Sequence, residues 1–422
     1  MFTNQLSPEE ARSVILENIK RTEMEEVDLV DALGRVLVER VKSEIDVIPF
    51  NNAAMDGFAV KREDLLNASE ENPVVLDVME EIPAGSYFDG NIEHGQCLRI
   101  MTGAPVPDCT DAVVKYEIVD YLDGDGMPGS KVAFKACPKE LDNIRSRGEE
   151  VLAGGTVIEA GEILGAGGIG YLANCGVSKV KVYKKPRVGV IAIGSELQMP
   201  GEPLKPGCIY ESNSVALSAT VLEAGGIPTR IGIVEDDFDV LCDAIEKASK
   251  EFDFVVTSGG ASNGDFDFIK GVIDKKGELI FTLVNMRPGK CQTFGLVNET
   301  PVMGFPGNPA AAYCGFEILL RPALLSMQGH KNLEIPTFEA TLVGDRKKRD
   351  PRRMYLRGFV EKDAEGNYRF TPAKNQSSGI YGPIQQSNCL AIIPEGEPEG
   401  GKVLDGTTLQ IIPFGVLEGS VI

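Results

Sequence analysis

Five short segments of this chain gather polar or charged side chains, four of them with glycine or proline alongside. They are Gly194-Ser195-Glu196, Glu235-Asp236-Asp237, Ser258-Gly259-Gly260, Met286-Arg287-Pro288-Gly289-Lys290 and Pro306-Gly307-Asn308-Pro309. A plain loop needs the glycine or proline, but not carboxylates and cations next to it. The paired glycines Gly259 and Gly260 let backbone N–H groups approach an anion with no Cβ in the way, and Ser258 adds a hydroxyl. A tight strand-to-helix turn would use the same tripeptide, and the spacing of a Walker A loop is absent. Arg287 and Lys290 put two cations on a rigid turn, which suits phosphate or another oxyanion. Glu196, Asp236 and Asp267 are carboxylates of the kind magnesium takes one or two at a time, together with phosphate oxygens. In so acidic a chain each of them could equally be a surface acid. Met55-Asp56-Gly57 reads as a turn by composition, yet apolar runs on both sides suit a structured loop as well. Arg346-Lys347-Lys348-Arg349 with Arg352, Arg353 and Arg357 form a basic cluster, read either as a solvated face or as a collector of anions.

The elements that must position these groups follow from periodicity. RVGVIAIG (187–194), IPTRIGIV (227–234) and FDFVVTSGG (252–260) read as strands, followed by helices near 212–225, 238–250 and 267–276. Strands near 279–286 and 302–305 precede a helix at about 310–328. This alternation predicts a parallel sheet covered on both faces, with ligands at the carboxyl ends of its strands. All five segments above would then share one sheet edge. Short β-branched runs broken by Gly, Pro and Asp predict a β-rich block at 46–139. Ser7-Pro8-Glu9-Glu10 reads as a capping box opening a helix to about Lys20. The expected organisation is multidomain α/β. Residues 1–45 with 140–183 form one discontinuous domain, 46–139 a β-rich insertion within it, 184–330 the parallel α/β domain and 331–422 a small β-barrel or sandwich domain.

Composition narrows the functional class. At 422 residues the chain exceeds one ordinary domain, and 43% hydrophobic with 25% charged residues is globular. A formal net charge of −21 disfavours nucleic acid and anionic membrane as partners. The nine cysteines include no CxxC pair, and with only His94 and His330 no zinc spacing exists. They read as reduced core thiols. The start of the chain lacks a basic then apolar leader, and no run near 18 apolar residues occurs, so the expected location is cytoplasmic.

Seven segments in order, DVIPFNNAAMDGFAV, RIMTGAPVPDCTDAVVKYE, NIRSRGEE, RVGVIAIGSEL, TSGGASNGDFDF, MRPGK and GFPGNPAA, resemble the molybdopterin molybdenumtransferases, the MoeA/gephyrin E-domain family. They run from about residue 46 to 312, and the flanks fit the family layout. The resemblance implies insertion of molybdenum from molybdate into adenylyl-molybdopterin with Mg2+, releasing AMP and molybdenum cofactor. It also implies an elongated homodimer whose site lies between the parallel-sheet domain of one subunit and the β insertion of the other. The upstream molybdopterin adenylyltransferase is a further expected partner. Matched residue by residue, the catalytic group is Asp56, Thr102, Glu196, Asp236 and Asp267, of which the four acids would hold the metal. Substrate contacts fall to Arg145, Ser258, Gly259, Gly260, Arg287, Lys290, Pro306, Pro309 and Arg352. The chain departs from the family at Glu150, where Asp is common, at Arg287, where Lys is usual, and at Gly382-Pro383, where a serine is expected. Competing readings are a non-catalytic molybdopterin-binding scaffold, a tungstate-inserting paralogue and a molybdopterin-adenylylating paralogue.

Overall fold

Arg187–Ile193 is buried at every position but the first, and Phe254–Ser258 at every position. Such unbroken burial is what a parallel strand covered on both faces requires. Side-chain alternation sends Val188, Val190, Phe254 and Val256 into one core and Ile191, Ile193 and Val255 into a second. The computed structural model describes residues 5–260 and 268–414. It divides into two units, one built from the chain up to Glu25, Gly34–Val38 and the chain from Lys181, the other from Glu26–Leu33 and Glu39–Val180.

The first unit is organised by β1 (Arg187–Ile193), α1 (Asn213–Glu223), β2 (Ile227–Val234), α2 (Phe238–Glu251), β3 (Phe254–Ser258), α3 (Phe268–Lys276), β4 (Gly277–Leu283), β5 (Cys291–Val297) and β6 (Thr300–Phe305). The sheet order is β2-β1-β3-β6-β5-β4. The pairs β1–β2, β1–β3 and β3–β6 are parallel, but β5 is antiparallel to both β6 and β4. The expectation of a wholly parallel sheet is corrected there. β5 and β6 are joined by Asn298-Glu299 alone, with φ of 51° and 64°. Two residues cannot make a parallel crossover, and positive φ at both is the type I′ hairpin geometry.

The strand read near 279–286 also divides. β4 ends at Leu283, and Met286–Arg287 pairs in parallel with Arg353 and Met354. That partner belongs to a closed five-stranded barrel: Arg353–Lys362, Tyr368–Pro372, Phe338–Leu342, Thr408–Pro413 and Cys389–Ile393, the last pairing back on the first. Closure leaves no strand edge exposed. Helix Pro8–Glu17 carries both halves of the capping box, with Glu10 N–H donating to Ser7 Oγ at 3.2 Å and Ser7 N–H to Glu10 Oε2 at 2.8 Å. It stops short of Lys20, and Asn18 Nδ2 donates to Val14 O at 2.8 Å past its end. Its Ala11 and Ile15 pack into the α/β core, so these residues group with the sheet rather than with 140–183.

Pro309–Met327 is helical throughout, with a π turn at Phe316–Leu320. Pro322 lacks the N–H that the preceding turn would need, and the wider turn accommodates it. By length and composition this helix could cross a membrane, although the sequence reading found no such run. With 78% of its most apolar stretch buried, it is a core helix.

The second unit holds a six-stranded sheet in the order Ala112–Lys115, Gly57–Val60, Gln96–Ile100, Val74–Ile82, Lys131–Phe134, Val119–Asp123. Phe58 and Phe134 centre its core, with rings 6.0 Å apart. Gly57 is required, since a Cβ there would lie 2.2 Å from Val114 O. Ala166–Asn174, within a glycine-rich stretch, is a helix that buries Leu172. Glycine costs about 1 kcal/mol relative to alanine in a helix interior, a preference that packing overrides here.

The hairpin turn makes a prediction. Glu299 holds positive φ against the Cβ penalty of roughly 1–2 kcal/mol, and its ion pair with Lys20 is formed by two exposed side chains. Glu299→Gly is expected to raise the thermal midpoint, and a lowered midpoint by calorimetry would refute this account of the turn.

Candidate functional site

From β1 the chain passes to β2 on one side of the sheet and later to β3 on the other, so strand order reverses between β1 and β3. At such a switch point the connections diverge and leave a crevice outside the strand ends. A cavity of about 600 Å3 lies there, lined by Glu196, Asp236, Ser258, Gly259, Gly260 and Pro309, among others. Glycine at 259 is a steric requirement. Its φ is 93°, and a Cβ would stand 2.1 Å from Ile193 O. Its N–H donates to Phe305 O at 3.1 Å, which draws the ends of β3 and β6 together.

Asn213, at the start of α1, ties this crevice together, although nothing in the sequence singled it out. Its Nδ2 donates to Ser258 Oγ at 2.7 Å and to Gly307 O at 2.8 Å, and its Oδ1 accepts from the Tyr381 hydroxyl at 2.6 Å. Next to it, Glu211 is 1% exposed and its carboxylate accepts from Ser214 N–H and Oγ at 2.7 and 2.6 Å. The available signal was a polar run, Glu211-Ser212-Asn213-Ser214, opening a helix after the first strand. Asp236 is held by Ser195, whose N–H donates to its Oδ2 at 3.0 Å.

The basic residues gather elsewhere. Arg287, Lys290, Arg352 and Arg357 line a second cavity of about 710 Å3 with Ser377 and Ser378. Pro306 borders this cavity, Pro309 borders the first, and Asn308 borders both. Acids and bases that the sequence placed on one edge are therefore sorted to the two sides of the Pro306–Pro309 turn. Arg357 is the strongest addition to the predicted set. It is fully buried, its guanidinium donates to Gln376 Oε1 and Ser377 O, and no carboxylate pairs with it among the described residues. Burial pushes its pKa below the ordinary arginine value. Arg352 differs in being taken side-on by Asp350. The basic cluster is no single solvated face: Lys348 is 1% exposed, and Arg353 pairs with Glu9 and Glu395.

In the second unit, Asp56 precedes strand Gly57–Val60, and its Oδ1 accepts from Thr102 N–H and Thr102 Oγ1, both at 2.7 Å. The Thr102 hydroxyl first, and its N–H second, hold the Asp56 carboxyl below the usual carboxylate pKa. Arg145 lies on Ile144–Arg145, antiparallel to Asn52–Ala53, directly upstream of Met55-Asp56. Glu150 accepts from Asn174 Nδ2 at 2.7 Å, an engagement its longer side chain reaches. Gly382-Pro383 opens the short helix Gly382–Gln385 with Pro383 buried, while Ser377 and Ser378 provide the hydroxyls at the cation-lined cavity.

Asp267 lies outside the described residues. Among those described, no group of three or more His, Cys, Asp or Glu side chains could hold a metal unaided. Glu196 and Asp236 nevertheless border one cavity, and neither pairs with a basic side chain among the described residues. Two such carboxylates fit magnesium arriving with phosphate oxygens and water, not a closed protein cage.

Three family profiles match the chain in order: MoeA N-terminal region (domain I and II) over residues 6–176, probable molybdopterin binding domain over 189–326, and MoeA C-terminal region (domain IV) over 339–414. The molybdopterin molybdenumtransferase of Bacillus subtilis is 35% identical over 394 residues, covering 93% of this chain and 90% of the relative. That of Haemophilus influenzae is 34% identical over 416 residues, covering 98% of this chain and 100% of the relative. A crystal structure of the molybdopterin biosynthesis MoeA protein from Pyrococcus horikoshii matches with a TM-score of 0.80 at 30% identity, over 97% of this chain and 100% of that one.

The Asp56–Thr102 contacts carry a pH prediction. A lowered carboxylate pKa means the contacts persist through neutral pH and are lost as pH falls through that lowered value. Thr102→Val removes the larger cause, so the Asp56 titration followed by NMR should move up toward the ordinary aspartate range. An unmoved titration would show that the hydroxyl does not set it.

Proposed function

The chain belongs to the MoeA family of molybdopterin molybdenumtransferases, and from that premise we propose that it takes adenylyl-molybdopterin and molybdate with Mg2+ and releases AMP and molybdenum cofactor. The observation that supports this reading most is the pairing of two neighbouring cavities. One is lined by carboxylates and closely approachable backbone, the other by cations and hydroxyls, and Asn308 borders both.

The glycines at 259 and 260 leave room for a phosphate at the crevice, and Asn213 holds Ser258 and the Gly307 carbonyl in place around it. Glu196 and Asp236 would hold magnesium, which would supply charge neutralisation and polarisation at the phosphoanhydride. Arg287, Lys290 and Arg357 balance the charge of molybdate, with Ser377 and Ser378 as hydrogen-bonding groups. A guanidinium without a carboxylate partner in a buried wall favours an incoming dianion over water. The two dithiolene thiols of the substrate displace one molybdate oxygen as water, a water cleaves the phosphoanhydride P–O bond to free AMP, and no cysteine ligand from the protein is needed. Assembly as a homodimer belongs to the same proposal, with Asp56 and Thr102 serving the reaction.

The test is AMP release by the purified chain given adenylyl-molybdopterin, magnesium and molybdate, with activation of a cofactor-free molybdoenzyme as the second readout. AMP release that needs molybdate is the expected outcome, and substrate binding without release would leave a scaffold. Running molybdate against tungstate in the same assay decides the metal. Glu196→Ala is expected to keep the fold and lower AMP release by at least ~100-fold, in line with loss of a metal-positioning carboxylate. Wild-type turnover in that variant would remove Glu196 from the mechanism.

A further inference from the structure

Asp350 makes more contacts with cations than any role as a surface acid requires. Its Oδ1 accepts from the Arg352 backbone N–H at 3.0 Å and from Arg352 Nε at 2.8 Å. Its Oδ2 accepts from Arg352 Nη2 and from Arg287 Nη1, the latter at 3.0 Å. A carboxylate has about four acceptor positions, so both oxygens are filled. The side chain is 12% exposed, whereas that of Arg287 is 53% exposed. These bonds hold the Asp350 carboxyl well below the usual carboxylate range, with the Arg352 side chain the largest cause.

Position separates two possible roles. Arg287 and Arg352 line the cation-lined cavity, and Asp350 does not. The carboxylate therefore grips the two guanidinium groups from outside the cavity and takes no N–H of Arg287 besides Nη1. The backbone beneath is fixed as well. Met286–Arg287 pairs with Arg353 and Met354. The Lys348 ammonium, 1% exposed, donates to Asp350 O at 2.7 Å, Arg352 O at 3.1 Å and Gly396 O. Three carbonyls use all three of its donors. A half-exposed arginine would otherwise lose its rotamer freedom only when an anion bound, and that loss weakens binding.

We propose that Asp350 is a positioning residue that yokes Arg287 to Arg352, so that one wall of the oxyanion cavity is set before molybdate enters. This rests on the reading of that cavity as the molybdate site. The yoke acts on binding rather than on the chemical step, which gives it a kinetic signature.

The experiment measures KM for molybdate and kcat in molybdate-dependent AMP release by the full chain. Asp350→Asn is nearly isosteric and removes the charge. It should raise KM about tenfold, as expected for weakened charge-assisted contacts, with kcat within about twofold. An unchanged KM overturns the proposal, and so does a lowered one, which would make Asp350 a competitor of the oxyanion. Should D350N not fold, Arg287→Lys carries the same test from an exposed side chain. It keeps the charge and loses the planar N–H that reaches Asp350, and KM should again rise several-fold, as for an arginine fork replaced by a point charge; no rise overturns the proposal. Lys290→Gln separates the two readings, since Lys290 lines the cavity without touching Asp350. A raised KM in K290Q with unchanged values in D350N and R287K sinks the yoke alone. Unchanged KM in all three sinks the cavity as the molybdate site.

Discussion

A side chain at position 259 would stand 2.1 Å from the carbonyl oxygen of Ile193, so the ends of β1 and β3 come together only around a glycine. Much of the site follows from that approach. Because the two strand ends meet, Ser258 comes within reach of Asn213, and the N–H of Gly259 can bond Phe305 O. β6 then delivers the Pro306–Pro309 turn beside both cavities, and Asn213 bonds the turn through Gly307 O. An asparagine at the first position of a helix thereby joins two strand ends and, through Tyr381, the barrel domain. Since interiors are packed to crystal-like density, a displacement at one of these points is passed to the others.

Charge is distributed against the overall balance of the molecule. In a chain of net charge −21, four basic side chains face one cavity and a further lysine is buried behind them. Burying cations costs several kcal/mol each unless hydrogen bonds and counter-charges offset it. The structure uses three kinds of compensation. Lys348 is surrounded by carbonyls, Arg352 by a carboxylate, and Arg357 by an amide oxygen and a carbonyl. Arg357 lines the cavity and has no carboxylate partner among the described residues, which is where an incoming oxyanion gains most. The acids Glu196 and Asp236 lie across the turn, and this separation prevents the two sets from neutralising each other.

Much of this was legible in the chain itself. The alternation of apolar strands with helices marked the α/β sheet because burial on both faces demands uninterrupted apolar runs. Ser7 and Glu10 marked a helix start because the capping box is local. Other features were not legible. β5 escaped notice because its pairing depends on a hairpin at Asn298-Glu299, neither of which is a glycine. No helix was marked at Ala166–Asn174, because its glycines give it poor propensity and packing makes it a helix.

The residue types at the strand ends were determined by sequence alone, because periodicity places strand ends and glycine announces close backbone approach. Family membership was also legible there, since it rests on segments in order. Which charges share a cavity was decided only by tertiary structure. Arg287 meets Asp350 across 63 residues and Asn213 meets Tyr381 across 168. A local pattern carries no term for such contacts. They exist because the barrel closes on itself and its first strand pairs with Met286–Arg287, so that backbone geometry set by hydrogen bonding brings distant side chains face to face.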